Sequence, residues 1–171
     1  ARDVTVNIAE RSVIGLIGTN GAGKTTFVNM LTGYIKPDSG RIHFRDRDIT
    51  GLEPRKITRL GMARSFQIPQ LFTSLTAREN IEIALSVAGL PLDQADAGLA
   101  RLGVLEFAEM NVGLLPEGVR KLLDIALAMV GKPEVLLLDE PTSGVASEEK
   151  FDVMDRVLHA ASEMGVTVLF V

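Results

Sequence analysis

The octapeptide GTNGAGKT, Gly18 to Thr25, constrains this chain more than any other stretch. It follows SVIGLIG, a short β-rich apolar run read as a buried strand. It precedes KTTFVNMLTG, whose apolar positions Phe27, Val28, Met30 and Leu31 and terminal Gly33 read as a helix with a glycine stop. A glycine-rich loop between a strand and a helix is the P-loop arrangement. Its glycines let backbone N–H groups turn inward around phosphate oxygens, and the following helix aims its positive end at the same anion. Gly18, Thr19, Asn20, Gly21, Ala22, Gly23, Lys24, Thr25 and Thr26 are the candidate nucleotide-binding residues. Lys24 can reach the outer phosphates, and the Thr25 hydroxyl can ligate Mg²⁺.

The rest of the chain alternates strand and helix signals. VTVNI (residues 4–8) alternates like a half-buried strand, and KPDSGRIHF is a turn feeding another. In TARENIEIAL, Thr76 and Glu79 have the spacing of a capping box. Residues 93–110 are rich in alanine and leucine and read as helical. In LPEGVRKLLDIALAM, Pro116 suits a first helical turn, Glu117 suits the positive end of the helix dipole, and Leu122 to Met129 reads as buried. Gly118 is out of place so early in a helix. EVLLLDE and VTVLFV are buried strands. Between them, SEEKFDVMDRVLHAASEMG reads as a helix capped by Ser147, with an apolar stripe at Phe151, Met154, Leu158 and Ala161 and a stop at Gly165. Alternating strands and helices predict an α/β fold with a largely parallel, covered sheet.

Composition narrows the class. A chain of 171 residues suits one domain. It has no apolar run near the ~18 residues of a membrane span. No cysteine is present, so disulfides and thiolate metal sites are excluded. The net charge is −4 and the basic residues are scattered, so no nucleic-acid partner is expected. His43 and His159 read as ordinary exposed or half-exposed residues.

VLLLDE ends an apolar strand in two acids, and strand ends are where open α/β sheets place ligands. Asp139 is positioned to hold Mg²⁺ through water, and Glu140 to polarise an attacking water. Gln67, in SFQIP, carries no signal of its own.

GTNGAGKTT, SFQ, LPEGVRKLLDIALA and LLLDEPTSG, in that order, resemble the ATPases of ATP-binding cassette (ABC) transporters, over nearly the whole chain. The resemblance implies a P-loop NTPase fold: a RecA-like core, a small antiparallel β region and a helical subdomain at about residues 72–131. It makes the chain a single ABC ATPase domain over residues 1–171. Both ends are expected to fall short of the full domain, because no aromatic residue precedes the P-loop and no switch histidine follows. The resemblance implies catalytic roles for Lys24, Gln67 and Glu140, and metal contacts from Thr25, Gln67 and Asp139. It assigns Ser143–Ala146 to the D-loop. It also makes Leu115, Pro116, Glu117, Gly118 and Val119 the signature loop, which meets ATP bound by a partner ATPase. In that frame Gly118 lets the backbone approach the partner's γ-phosphate.

TGYIKPDSGRIHFRDRDITGLEPRKITRLGMARSFQIPQLF is similar to the ATPases of branched-chain amino acid importers, or the closely similar urea importers. The implied cofactors are ATP and Mg²⁺. The implied partners are a second ABC ATPase in a heterodimer, two membrane permeases and a periplasmic or extracellular solute-binding protein, with the chain peripheral on the cytoplasmic face of the membrane. The usual signature is Leu-Ser-Gly-Gly-Gln; here Pro116, Glu117 and Val119 depart from it, and Ala146 stands where the D-loop has an aspartate. A hydrolysis-poor regulatory nucleotide-binding module is therefore the alternative, and the fragment by itself is expected to be a weak ATPase.

Overall fold

The computed structural model describes residues 4–19 and 21–171. Four strands form a parallel sheet: β1 (Val13–Gly15), β4 (Met62–Ser65), β5 (Val135–Leu138) and β6 (Thr167–Phe170), in the order β1-β6-β5-β4. β2 (His43–Phe44) and β3 (Arg47–Asp48) form a small antiparallel pair. Six α-helices, α1 (Lys24–Leu31), α2 (Pro54–Arg59), α3 (Ala77–Ala88), α4 (Ala95–Arg101), α5 (Glu117–Met129) and α6 (Lys150–Met164), and three short 3₁₀ turns at Leu92–Gln94, Leu105–Phe107 and Val112–Leu114 complete the described elements.

The central strands β5 and β6 are covered on both faces, as their apolar runs require. Side chains alternate along a strand. In β5, Leu136 and Leu138 enter a core shared with α3 to α6, while Leu137 enters a second core with Val28 of α1, Ile57 of α2 and Ile49. All three leucines are essentially fully buried, and each such burial contributes about 1.5–3 kcal/mol. The register sets the functional edge. Ser65 lies beside Leu138, Leu138 beside Phe170 and Phe170 beside Gly15. The residues that follow these strand ends therefore leave the sheet along one edge.

Helix ends match their signals in three places, one of them Gly33, left-handed at φ 78° directly after the C-cap of α1. Thr76 and Glu79 form the capping box, the Thr76 hydroxyl accepting from Glu79 N–H and the Glu79 carboxylate from Thr76 N–H. Gly165 ends α6 in the left-handed conformation, φ 67°.

Elsewhere the structure corrects the reading. VTVNI is exposed and forms no strand among the described residues. It lines an open cavity of about 1160 Å³ beside β2, with no neighbouring strand in register to complete the ladder its alternation implies. SVIGLIG is a strand only over Val13–Gly15, at the sheet edge, and Ile17 is 97% exposed. The helical stretch 93–110 is broken: α4 ends before Gly103, which has φ 68°, and a 3₁₀ turn follows at Leu105–Phe107. Ser147 does not cap α6, which starts after Glu149 without a side-chain cap. The buried stripe of α6 is Val153, Val157, Ala160 and Ala161, and Phe151 is 82% exposed. Two stripes can be drawn on that helix; packing against Gly118 and its neighbours on α5 selects the second. β4 and α2 carried no clear apolar period and emerge only in the fold.

Candidate functional site

The P-loop leaves β1 and enters α1, as its spacing predicts. Gly21 and Gly23 adopt φ 81° and 89°, left-handed values that a side chain would strain. At Gly18 a Cβ would lie 3.1 Å from Ala22 Cβ, a tight contact that would push the loop apart by a few tenths of an ångström. Ala22 N–H donates to Thr19 O at 3.1 Å, tightening the turn. Lys24 Nζ donates to Gly18 O at 2.8 Å and Thr19 O at 3.2 Å, which holds the ammonium at the mouth of the loop. Thr25 and Thr26 follow on the exposed first turn of α1. Asn20 lies outside the described residues.

The same sheet edge delivers the carboxylates. Asp139 follows β5 and is buried; its Oδ2 accepts from Arg64 Nη2 at 2.7 Å. Arg64 sits on β4 and also donates from Nη1 to Asn29 Oδ1 on α1 at 2.6 Å, while its guanidinium carbon lies 4.9 Å from the Phe66 ring centre. Arg64 thus ties the P-loop helix to the β5 end, a role that sequence reasoning missed. The available signal was a cation in the strand immediately before SFQ. Glu140 comes next, exposed, with φ 47°. A non-glycine residue held there costs about 1–3 kcal/mol, a strain that clusters at functional positions. Its backbone is fixed by Glu140 N–H donating to Val171 O (3.2 Å) and Ser143 N–H donating to Glu140 O (3.0 Å).

Gln67 joins this group. Its Nε2 donates to Glu140 Oε2 at 2.7 Å. A residue with no sequence signal of its own is therefore placed against the acid that has one.

The donor set suits Mg²⁺ better than a cation bound by protein alone. Among the described residues no cluster of three or more His, Cys, Asp or Glu side chains could cage an ion. A hydroxyl at Thr25 and one carboxylate at Asp139, with one oxygen already committed to Arg64, match a metal that takes its remaining ligands from phosphate and water.

Leu115–Val119 forms the entry to α5, with Pro116 as N-cap at φ −55°, ψ 151° rather than in the first turn. None of its hydrogen bonds reaches Gly18–Thr26 among the described residues. The Glu117 carboxylate accepts from Arg120 Nη2 at 2.5 Å, so its charge is paired within the helix turn. Gly118 is buried, and a Cβ on it would lie 3.2 Å from Glu149 Oε2 and 3.7 Å from Val145 Cγ1. Within one chain, glycine at this position serves close packing of α5 on the 144–153 segment. Gly144, at φ 80°, faces Glu117 from that segment. Lys121 points to the other side, where its Nζ donates to Phe66 O and Gln67 O.

Comparison with known proteins matches this geometry. The ABC transporter family profile matches residues 1–143. The high-affinity branched-chain amino acid transport ATP-binding protein LivG of Salmonella typhimurium is 35% identical over 188 aligned positions, covering 99% of this chain and 74% of LivG. BraF of Pseudomonas aeruginosa, of the same description, is 35% identical over 187 positions, covering 98% and 73%. The crystal structure of the ADP conformation of MJ1267, an ATP-binding cassette of an ABC transporter, superposes with a TM-score of 0.88 at 31% identity, covering 98% of this chain and 72% of that one. cbiO1 of Clostridium perfringens, part of the ABC transporter complex cbiONQ, superposes with a TM-score of 0.88 at 30% identity, covering 98% and 69%. With the P-loop, the strand-end acids and Gln67 gathered on one sheet edge, the chain belongs to the ABC transporter family, as one of its ATP-binding cassettes.

Proposed function

We propose that this chain is the ATP-binding and ATP-hydrolysing subunit of an importer for branched-chain amino acids. The 2.7 Å contact between Gln67 and Glu140 at the end of the P-loop sheet carries the hydrolytic half of the reading. The likeness to LivG and BraF supports the substrate.

ATP phosphates bind in the P-loop, with the N–H groups of residues 18–26 and the Lys24 ammonium around them. Thr25, Asp139 and Gln67 are the residues that would hold Mg²⁺, which would supply neutralisation of phosphate charge when bound. Glu140 accepts the proton of the attacking water, and Gln67 orients both. The strained Glu140 backbone and the Gln67 bond pre-set the direction of that carboxylate, so little reorganisation is left to the reaction.

Residues 72–131 act as the helical subdomain in this reading, and Leu115–Val119 meets the ATP of a second ATPase. The partners are that ATPase, two permeases and a solute-binding protein outside the membrane. No helix among the described residues is long and apolar enough to cross a membrane; attachment at the cytoplasmic face of the membrane is part of the proposal, supported by the likeness to LivG and BraF. The altered signature favours an asymmetric heterodimer. Pro116 leaves no hydroxyl donor where the family has serine, and Glu117, paired with Arg120, stands where it has the first glycine.

The test is reconstitution of the full-length subunit with its permeases and partner ATPase in proteoliposomes. ATP-dependent uptake of leucine, isoleucine or valine that is lost on Glu140→Gln is the expected result. Uptake of urea alone moves the substrate to the other importer class. ATP binding without turnover in the wild-type complex leaves the regulatory module.

A further inference from the structure

Helix α5 carries two buried charges that the chemistry above does not use. Lys121 is 0% exposed and Asp124 is 6% exposed. Each spends its bonds on the segment that holds Gln67. Lys121 Nζ donates to Phe66 O at 3.2 Å and to Gln67 O at 2.5 Å. Asp124 Oδ2 accepts from Ser65 Oγ at 2.6 Å, and its Oδ1 accepts from Gln70 N–H at 3.1 Å. Four residues, Ser65, Phe66, Gln67 and Gln70, are thereby gripped on both sides of the Gln67 side chain. That side chain reaches Glu140.

Stability alone does not account for this arrangement. Taking a charge out of water is costly, and well-packed apolar residues of similar volume are often as stable or more so. Burial pushes the Lys121 ammonium below the usual lysine range and the Asp124 carboxyl above the usual aspartate range, so both charges are held under strain. The reward is geometric. After Ser65 the chain leaves β4, and no sheet ladder fixes Gln67. The two side chains replace that ladder with bonds to a rigid helix of 13 residues, whose first turn carries Glu117, Gly118 and Val119.

We propose that Lys121 and Asp124 are positioning residues that hold the backbone on either side of Gln67 so that its amide meets Glu140, and that they couple this contact to the entry of α5. A shift of α5 by a contact at Leu115–Val119 moves the Gln67 backbone with it, because both grips sit on the same helix within one turn. The proposal rests on the reading that Gln67 and Glu140 act in hydrolysis.

The experiment is a double-mutant cycle in the assembled full-length transporter, with kcat and KM for ATP measured for Lys121→Met, Gln67→Ala and the double variant, alongside thermal melting of each. Lys121→Met keeps the length of the side chain and removes its donors. It is expected to lower kcat by about tenfold to a hundredfold with KM for ATP changed less than about twofold, as for a small misplacement of a reacting group. In the Gln67→Ala background it is expected to lower kcat no further. Lys121→Arg, which keeps a cation with N–H donors, is expected to recover most of the loss. Asp124→Asn, nearly isosteric, serves where Lys121→Met does not fold, and is expected to show the same kcat-only, Gln67-dependent loss. Additive losses in the cycle, an unchanged kcat, or kcat and KM worsening together overturn the positioning role while leaving Gln67 in the mechanism. An unchanged kcat for Gln67→Ala itself overturns the role of Gln67, and the positioning role falls with it.

Discussion

The nucleotide edge of the sheet and the entry to α5 are built on different principles. At the sheet edge, the P-loop, Asp139 and the segment bearing Gln67 leave parallel strands whose register is fixed by backbone hydrogen bonds and whose leucines are fully buried. At the α5 entry no strand sets the position. Leu115–Val119 is held by the Glu117–Arg120 pair, by Gly118 packed under Val145 and Glu149, and by Lys121. The family's pattern is intact on the first edge and altered on the second. A loop anchored by side chains can be held by other side chains, so its residues change without loss of the fold. A loop whose backbone conformation demands glycine at φ 81° and 89° has no such freedom.

The largest effect expected from breaking this contrast is on the sheet edge. Glu140→Gln keeps an acceptor for Gln67 but cannot take a proton. It should still bind ATP and lose about 10²–10⁴-fold in kcat, read by phosphate release in the full-length complex. Turnover at the wild-type rate would move the base elsewhere.

Lys24→Ala comes second. It removes the ammonium that donates at the loop mouth, and each charged hydrogen bond is worth roughly 1.5–3 kcal/mol, or about 10–100-fold in affinity. Equilibrium binding of Mg²⁺-ATP should weaken by at least that much. Equal affinity and equal turnover in the two proteins would remove the P-loop assignment.

A smaller change should follow at the α5 entry. Restoring serine and glycine as Pro116→Ser with Glu117→Gly returns a hydroxyl donor and removes a carboxylate from the approach to the partner's ATP. A single-site gain of a few-fold, on the order of one hydrogen bond, is expected at the partner's P-loop only, measured with each P-loop inactivated in turn. Acceleration at neither site, or an active wild-type homodimer, would erase the asymmetry.

The smallest effect is on stability against pH, and it contrasts the buried α5 charges with the exposed edge. Burial raises the Asp124 carboxyl above its unfolded value, against the opposing bonds from Ser65 and Gln70. Within that window the folded state binds more protons than the unfolded chain, so this group's contribution falls as pH rises from the ordinary aspartate value through the raised one. Asp124→Asn should remove that fall. Melting temperatures of the two proteins taken stepwise from acid to neutral pH should diverge in the variant's favour as pH rises; parallel curves would show an unshifted carboxyl.

The P-loop, the strand-end acids and the Thr76–Glu79 capping box were legible in the residues because each is a local arrangement. Glycine spacing, a turn and a cap are decided within a few residues of chain, and the structure reproduces them. The α/β class was legible for the same reason, since an apolar run such as VLLL can be covered only if both of its faces are buried. Gln67 had no local signal, and its place against Glu140 depends on β4 pairing with β5 in one register, which 73 residues of separation hide. VTVNI has the alternation of a strand, but a strand exists only where a neighbour completes its ladder, and tertiary structure decided against it. The stripe of α6 was equally undecided in the sequence, where two apolar lines fit the helical period and only the surface of α5 selects between them. Arg64, Lys121 and Asp124 show the physical reason most sharply. A charge in an apolar stretch is legible as a charge, but the partner that makes its burial tolerable lies on another element, 75 residues away for Arg64 and Asp139 and 54 for Lys121 and the Gln67 carbonyl, and only the folded chain brings the two together.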